Sequence, residues 1–345
     1  MDINQLTATA QQLVSSGKGI LAADESSGTI KRRFDSINVE STEENRRNYR
    51  ELLFRTEGAA EYISGVILFD ETIRQMGADG TPLVQVLTDQ GIIPGIKVDK
   101  GTKPLPESPN ELITEGLDGL SERLEEYREL GARFAKWRGV ITIGDGIPTS
   151  YCIDTNAHVL ARYAALSQAA GLVPIVEPEV LMDGDHSIET ALAINEITLR
   201  KVYQHLAEQR VALEGTLLKP SMVLSGTTAP DRASYEEVAR NTLACFKRVV
   251  PAAVPGIVFL SGGQSDEEAT VNLDAINRLA TAMGAPWQLS FSFGRGLQAA
   301  PLTTWLGSQD NREKAQQAFY HRAKLTSAAR MGVYTPTMEH AVAAN

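Results

Sequence analysis

The chain has 345 residues, 43% of them hydrophobic, so it can bury a substantial core as two domains or as one long α/β barrel. Its net charge of −10 and isoelectric point near 5.2 favour a soluble protein and argue against nonspecific nucleic-acid binding. Two cysteines, Cys152 and Cys245, are too few for a disulfide framework or a zinc knuckle, and they indicate a reducing, cytoplasmic compartment.

The first 17 residues predict an amphipathic helix, because Leu6, Leu13 and Val14 recur at helical spacing among polar residues. The acidic Asp2 is not typical of a secretory signal. No apolar run approaches the roughly 20 residues that cross a bilayer. Since no low-complexity linker marks a boundary, we expect a single domain over residues 1–345, with 333–345 as a mobile tail and no membrane partner.

Eight apolar runs follow along the chain, and helical stretches separate them. The runs are 19–23, 65–69, 92–98, 132–138, 172–176, 215–219, 256–260 and 287–293. The predicted helices are 42–55, 115–130, 157–170, 187–206, 234–250, 266–283 and 311–331. Continuous apolar strands between helices predict a parallel sheet buried on both faces. Eight such units predict a TIM (β/α)8 barrel; a doubly wound open sheet is the alternative, but residues 19–28 lack its glycine fingerprint.

Charged or hydroxyl side chains end almost every run. They are Asp24, Lys97, Lys136, Glu177, Lys219, Ser261 and Arg295. Active sites of barrels lie at the carboxyl ends of the strands, so these side chains are expected to converge on one mouth. Residues two apart on a strand point the same way. This spacing groups Glu177 with Glu179, Lys136 with Arg138, and Lys97 with Asp99.

Lys219 ends the sixth run, and Pro220 after it stops ordinary strand pairing. A lysine against apolar walls or near other cations loses its proton more easily, and the neutral amine can attack a carbonyl. A lysine at a strand end is also typical of an ordinary surface residue. Glu177 and Glu179 suit general acid/base work, although any single lysine–glutamate pair is equally compatible with a salt bridge that closes the barrel.

Two glycine-rich turns, 261–265 and 292–296, follow the last two strands, where barrels often bind phosphate through backbone N–H groups. The candidate phosphate ligands there are Ser261, Gly262, Gly294 and Arg295. Glycine lets the backbone approach a ligand closely, and arginine offers a planar fork for phosphate oxygens. Arg33, Arg46 and Lys97 are candidates for a second phosphate, although Arg33 and Arg46 taken singly are typical of solvated helix charges.

The five histidines are scattered without the spacing of zinc ligands, and His186, the one beside acidic residues, is expected to lie in a loop. We therefore expect no metal and no cofactor, with activation by an iminium group in place of a metal.

Several of these stretches, taken in order, resemble class I fructose-bisphosphate aldolases. The resemblance covers about residues 17–336 and is carried by 17–26, 95–101, 134–138, 173–179, 214–220 and 259–265. It implies a barrel fold, a homotetramer, and a metal-independent lyase of glycolysis and gluconeogenesis. The implied substrates are fructose 1,6-bisphosphate and the triose phosphates.

The resemblance also implies residue roles. Lys219 matches the Schiff-base lysine, Glu177 the general acid/base, and Glu179 the second carboxylate beside the lysine. Asp24 matches the carboxylate that handles the C4 hydroxyl, and Lys136 the lysine that assists the carbinolamine steps. The residues matched to substrate and phosphate binding are Arg33, Arg46, Lys97, Arg138, Ser261, Gly262, Gly294 and Arg295.

The chain departs from the family pattern at two places. Its last aromatic residue is Tyr334, so the family's C-terminal tyrosine has no counterpart, and Phe293 stands where a tyrosine is common. Another Schiff-base barrel aldolase or transaldolase, a non-catalytic scaffold and a zinc-dependent aldolase remain alternatives. The preference among fructose 1,6-bisphosphate, fructose 1-phosphate and sedoheptulose 1,7-bisphosphate also stays open.

Overall fold

A computed structural model describes residues 2–340 of the chain. Over this range there are ten strands: β1 Gly19–Ala23, β2 Ile63–Leu68, β3 Ile93–Lys97, β4 Thr102–Pro104, β5 Leu112–Thr114, β6 Phe134–Ile141, β7 Val173–Val180, β8 Leu217–Leu218, β9 Gly256–Phe259 and β10 Gln288–Phe293. The same residues form twelve α-helices: α1 Ile3–Leu13, α2 Ser27–Asp35, α3 Glu43–Phe54, α4 Asp70–Ile73, α5 Leu83–Thr88, α6 Leu120–Glu129, α7 Ser150–Ala169, α8 Ile188–Glu208, α9 Tyr235–Val249, α10 Asp266–Met283, α11 Arg295–Trp305 and α12 Arg312–Arg330.

Eight strands close into a parallel barrel in the order β1-β10-β9-β8-β7-β6-β3-β2. The predicted TIM barrel is thus confirmed, and the open-sheet alternative is wrong. All eight predicted strands occur, although β8 is reduced to two residues, because a 3-10 turn ends at Gly215 and Pro220 follows Lys219. Strands β4 and β5 form a separate antiparallel hairpin that the sequence patterns did not predict.

All seven predicted helices are also present, and α9 opens with a capping box formed by Ser234 and Glu237. The patterns did not predict α2, α4, α5 and α11. Helices α4 and α5 have four and six residues, too short for a periodic signal, while α11 carries Gly296 and Pro301.

Alternate residues of the barrel strands point inward, and on five strands, β1, β3, β6, β7 and β8, their character changes from apolar to charged toward the carboxyl end. On β7, Val173 and Ile175 belong to an apolar cluster inside the barrel, and Glu177 and Glu179 follow on the same face. The same order holds on β8, where the buried Leu217 precedes Lys219. The barrel therefore has an apolar floor and a charged mouth.

Helix α1 closes the floor of the barrel. Its Leu6, Ala10 and Leu13 are buried in the apolar cluster that also holds Ile175 and Leu217. The Asp2 side chain caps the helix by accepting hydrogen bonds from two backbone N–H groups. With the floor closed, the open end of the barrel is the charged one.

The predicted tail, 333–345, is described as far as His340, and residues 341–345 lie outside the described residues. Tyr334 is buried, and a short 3-10 helix covers Pro336–His340. Within residues 2–340, no helix combines the length and the apolar character that crossing a bilayer requires.

The floor generates a prediction about stability. A Cβ atom on Gly95 of β3 would lie 2.3 Å from the Phe134 ring, so Gly95→Ala should destabilise the protein by about 1–3 kcal/mol through overpacking. Gly28→Ala in α2 is the matched control, because its nearest neighbour is a flexible arginine tip at 3.9 Å, and alanine favours the helix. Chemical denaturation measures both variants; equal stability of Gly95→Ala and the wild type would contradict the packing argument.

Candidate active site

The carboxyl ends of the barrel strands open into a cavity of about 1120 Å³. The predicted site residues that line it are Asp24, Arg33, Lys97, Lys136, Arg138, Glu177, Glu179, Lys219, Ser261, Gly262, Gly294 and Arg295. These residues come from strands that are distant in sequence. Their convergence on one mouth confirms the expectation drawn from the polar strand ends.

Four charged side chains form a row of alternating sign at the base of this cavity. Lys219 Nζ lies 3.2 Å from Glu177 Oε1, and the other oxygen of Glu177 lies 3.2 Å from Lys136 Nζ. Lys136 Nζ is in turn 2.8 Å from Asp24 Oδ2. Lys219, Glu177 and Lys136 are each less than 5% exposed, so these charges interact with little screening by solvent.

The row shifts the pKa values of its members strongly. Burial alone would raise the pKa of Asp24, but the cations of Lys136, Lys219 and Lys97 outweigh it and hold this pKa well below its usual range. Burial alone would lower the pKa of Lys136, yet Asp24, Glu177 and Asp99 raise it well above the ordinary value. Both groups are therefore charged at neutral pH.

The expectation that gathered lysines lower one another's pKa is wrong for Lys136. Carboxylates lie between the cations, and Lys136 has three of them within 4 Å: Asp24, Glu177 and Asp99. Lys219 has a single ion-pair partner among the described residues, Glu177. The two amines thus differ in how many anions compensate them, and Lys219 is the less compensated one.

Glu179 lines the cavity, but its ion-pair partner is a cation other than Lys219. Its carboxylate bonds to Arg138 Nε, and this is its one ion pair in the described part of the chain. Burial alone would lower the pKa of Arg138, but Glu179 outweighs it and raises that pKa. The carboxylate that forms an ion pair with Lys219 is therefore Glu177. The sequence predicts which residues share a face of the strand, but it does not predict which cation lies opposite each of them.

The grouping of Lys97 with Asp99 is confirmed as a contact. Lys97 Nζ lies 2.6 Å from Asp99 Oδ1 and donates a hydrogen bond of 2.8 Å to the backbone oxygen of the same residue. Asp99 also accepts a bond from the backbone N–H of Gly101 at 3.1 Å. Lys97 is therefore held at the wall of the cavity with its ammonium group directed by this turn.

The two glycine-rich turns meet at the mouth. Arg295 donates a hydrogen bond to the backbone oxygen of Gly262, and helix α11 begins at Arg295. Gly262 has a φ of +55°, in the left-handed region that favours glycine. A helix N-terminus and an arginine beside an adaptable loop are features of a phosphate site.

Of the two arginines expected near a second phosphate, Arg33 lines the cavity at its rim, where it bonds to Glu25. Arg46 is not among the residues that line the cavity. Its guanidinium lies 2.5 Å from Glu71 Oε2 and donates to the backbone oxygen of Ser41 at 2.6 Å. The hydrogen bond to Glu71 raises the pKa of Arg46, so this guanidinium is a cation that is already paired within the protein.

The structure adds Ser292 on β10 to the cavity wall, a residue that the sequence patterns did not single out. It is 1% exposed, and its hydroxyl has no hydrogen-bond partner among the described residues. A buried hydroxyl without a partner is costly, which points to a ligand or a water molecule that completes its bonding. The alternation of Ser290, Phe291, Ser292 and Phe293 is the signal that could have identified it, since period-two serines share one face.

Strand pairing places Ser292 level with the two lysines of the row. In a barrel of this kind each strand is staggered by about one residue against its neighbour, and side chains from alternate strands form a layer. Lys136 is paired with Ile175, and Ile175 with Leu217. Because the stagger over two strands amounts to two residues, the member of this layer on β8 is the residue two beyond Leu217, which is Lys219. The two lysines therefore share a layer.

The same step taken again leads to Ser292. The pairing of β8 with β9 puts Lys219 level with Val258, and Val258 is paired with Ser290. Two residues beyond Ser290 stands Ser292. The same step across β1 leads from Ser292 to Ile67 of β2, and a further step across β3 leads from Ile67 back to Lys136. The hydroxyl therefore belongs to the same layer as both amines.

Comparisons with known proteins agree with the earlier resemblance. The family model for class-I fructose-bisphosphate aldolase matches residues 5–345. A "Probable fructose-bisphosphate aldolase class 1" of Xanthomonas campestris pv. campestris is 58% identical over 96% of this chain and 99% of its own length. "Fructose-bisphosphate aldolase 6, cytosolic" of Arabidopsis thaliana is 54% identical over 96% and 92%. The fructose-bisphosphate aldolase of Plasmodium falciparum, solved with TRAP and a small-molecule inhibitor, superimposes with a TM-score of 0.95, 50% identity and 96% coverage of both chains.

The buried row predicts a pH-dependent contribution to stability. Because the pKa of Asp24 is lower in the folded state than its ordinary 3.8, its ionised form stabilises the protein above that value, and the gain is lost as the pH falls through the folded-state pKa. Asp24→Asn should therefore lower the free energy of unfolding by roughly 3 kcal/mol at pH 7. The difference in this free energy between the variant and the wild type should become smaller only below pH 3.8. Urea denaturation from pH 7 to pH 3 measures this.

The matched control is Asp35→Asn, which breaks the exposed Lys31–Asp35 pair. Exposed pairs contribute little, so this variant should change stability by less than about 1 kcal/mol. Equal losses in Asp35→Asn and Asp24→Asn would contradict the importance of burial.

Proposed function

The chain belongs to the class I fructose-bisphosphate aldolase family, and from this premise we propose that Lys219 is its Schiff-base lysine and Glu177 its general acid/base. The enzyme catalyses the reversible aldol cleavage of fructose 1,6-bisphosphate to dihydroxyacetone phosphate and glyceraldehyde 3-phosphate. The observation that carries the residue assignment is the carboxylate of Glu177, which lies 3.2 Å from the amine of Lys219 and 3.2 Å from that of Lys136.

The first step needs a neutral amine at Lys219. Glu177 can accept the ammonium proton directly, since 3.2 Å separates the two groups. The freed amine attacks the C2 ketone and forms a carbinolamine. Glu177 then returns a proton to the C2 hydroxyl, which leaves as water, and a protonated imine remains. Lys136, held as a cation by its three carboxylates, stabilises Glu177 whenever it is ionised.

The imine makes cleavage of the C3–C4 bond possible. Electrons of the breaking bond move into the protonated imine and form an enamine, while the C4 hydroxyl becomes the aldehyde of glyceraldehyde 3-phosphate. The hydroxyl proton passes to Asp24, which is ionised because its pKa is held low. A weak base suffices, since this proton becomes strongly acidic as the carbonyl forms. Protonation and hydrolysis of the enamine then release dihydroxyacetone phosphate and regenerate the amine.

The two ends of the substrate are assigned to two groups of residues at the mouth, and Arg33 of the second group lies near Gly294 of the first. Ser261, Gly262, Gly294 and Arg295 are proposed to bind one phosphate, because a helix N-terminus and a guanidinium converge there. Lys97, Arg33 and Arg138 are proposed for the other end, whereas the position of Arg46 supports no direct contact. Ser292 is proposed as an additional substrate ligand, since its hydroxyl lacks a partner in the layer of the lysines. Binding energy at both ends would position the bond that breaks.

We also propose a cytoplasmic homo-oligomer, with a tetramer favoured, that needs no cofactor and binds no nucleic acid. The family resemblance supports the oligomer, and the acidic charge of −10 argues against nucleic acid. The name of the Arabidopsis relative includes the word cytosolic, which supports the compartment.

Chemical trapping tests the lysine assignment. Borohydride added with dihydroxyacetone phosphate should reduce the imine and attach the substrate at Lys219, because only an imine is reduced to a stable amine. Peptide mass spectrometry locates the adduct. Lys219→Arg should form no adduct and lose at least about 10³-fold in kcat/KM, since the nucleophile is gone.

Lys97→Gln is the matched control, because it removes another lysine of the same cavity. Its adduct should remain at Lys219, although substrate binding weakens. An adduct on any other lysine of the wild type would overturn the assignment.

Metal removal separates this mechanism from that of a zinc-dependent aldolase. Dialysis against EDTA should leave kcat and KM unchanged, because the imine itself accepts the electrons that a metal-bound enolate would otherwise hold. Loss of activity that zinc restores would refute the proposed chemistry.

A further inference from the structure

The chain after α12 is bonded along helix α10. We call residues 333–340 the C-terminal segment. The backbone N–H of Tyr334 donates to Asp274 Oδ1 at 2.9 Å, and the Tyr334 hydroxyl donates to Glu339 Oε1 at 2.8 Å. Arg278 donates to the backbone oxygens of Gly332 at 3.1 Å and of Tyr334 at 2.9 Å. The segment is therefore held at several points, and none of these contacts has a role in the reaction described above.

Arg322 of α12 joins this segment to the first turn of α10. Its side chain is 5% exposed, and one guanidinium nitrogen donates to both oxygens of Glu339, at 2.7 and 2.5 Å. The other donates to Thr270 Oγ1 at 2.7 Å and to the backbone oxygen of Asp266 at 3.4 Å. One buried guanidinium thus links the C-terminal segment with the residues that open α10.

That first turn directly follows the glycine-rich loop 261–264. Ser265 caps α10, and Gln264 is tied to the helix by a 2.7 Å hydrogen bond from Asn272. The Gln264 side chain also donates to the backbone oxygen of Ser261 at 3.1 Å. The loop therefore rests on α10, and a displacement of the first turn would move the loop with it.

We infer that Glu339, acting through Arg322, is a positioning residue for the phosphate-binding loop; this inference rests on the proposed phosphate role of Ser261 and Gly262. Glu339 is the carboxylate that bonds to the buried guanidinium, whereas Asp266 Oδ2 lies 3.9 Å from Arg322 Nε. Without the Glu339 charge, Arg322 is drawn toward Asp266, which stands two residues after the loop. The loop then loses the position in which its backbone meets the phosphate.

Glu339→Gln tests the inference, because it removes the charge and keeps the shape. We expect KM for fructose 1,6-bisphosphate and the inhibition constant of inorganic phosphate to rise about three- to tenfold, with kcat within about twofold. Thr270→Val, which removes the hydroxyl that Arg322 bonds, should act in the same direction. The double variant should show less than the product of the two effects, since both act through one guanidinium. Unchanged KM and inhibition constants in Glu339→Gln would overturn the inference.

Arg278→Met is the matched control. It releases the C-terminal segment at Gly332 and Tyr334 but touches neither Arg322 nor the first turn of α10. It should leave KM unchanged. An equal rise in KM would show that loosening the segment anywhere is sufficient, and that outcome would overturn the specific role of Glu339.

Arg295→Met separates this inference from the proposed phosphate site. If Arg295→Met weakens inhibition by inorganic phosphate while Glu339→Gln does not, only the positioning role fails. If Arg295→Met leaves that inhibition unchanged, the phosphate site itself is wrongly placed, and the inference falls with it.

Discussion

The structure depends on the carboxylate of Glu177, which lies between two buried ammonium groups. A buried charge is costly unless it is paired, and a lysine left alone in this position would either lose its proton or disrupt the barrel. Glu177 contacts Lys219 with one oxygen and Lys136 with the other, at 3.2 Å each. The three groups come from the adjacent strands β6, β7 and β8. A change in the register of these strands would therefore separate the charges that compensate one another.

The apolar floor makes this charged layer possible. Helix α1 and the inward residues below the lysines exclude water from one side, so the row is open only toward the cavity. The exclusion strengthens every interaction within the row, including the attraction of the lysine cations that holds the pKa of Asp24 low although burial alone would raise it. The same packing is tight where Phe134 fills the space beside Gly95. The apolar layer that stabilises the barrel therefore lies directly below the layer of charged side chains at its mouth.

The sequence predicts the members of the site better than their partners. The strand-end position and period of two place Glu177 and Glu179 on one inward face, and the structure agrees. The partners depend on strand register, which no local pattern encodes, so the bond between Glu179 and Arg138 could not be foreseen. The pairing of Arg46 with Glu71 is hidden for a related reason, since the sequence does not specify the direction of a charged side chain on a helix.

Two further features lay beyond the sequence patterns for different reasons. Ser292 is uncharged and lies in an apolar strand, so only its place in a layer reveals it. The bond between Arg322 and Glu339 joins two helical stretches across the C-terminal turn. Because the arginine is buried, solvent screens this ion pair only weakly. An arginine near the chain end is ordinarily read as solvated, because arginines are rarely buried.

The two lysines of the row have unequal surroundings, and the proposed mechanism gives them different roles. Lys136 is held by Asp24, Glu177 and Asp99, and its raised pKa means that it is charged at neutral pH. A permanently charged amine cannot attack a ketone, but it keeps the adjacent carboxylates ionised and able to accept protons. Among the described residues Lys219 has one ion-pair partner, Glu177, and in the proposed mechanism this carboxylate is the direct acceptor for its proton. Among residues 2–340, the geometry thus surrounds Lys136 with three carboxylates and Lys219 with one, and Glu177 is the carboxylate that contacts both amines. This difference is what the proposed division of roles requires, with a fixed charge at Lys136 and the nucleophile at Lys219.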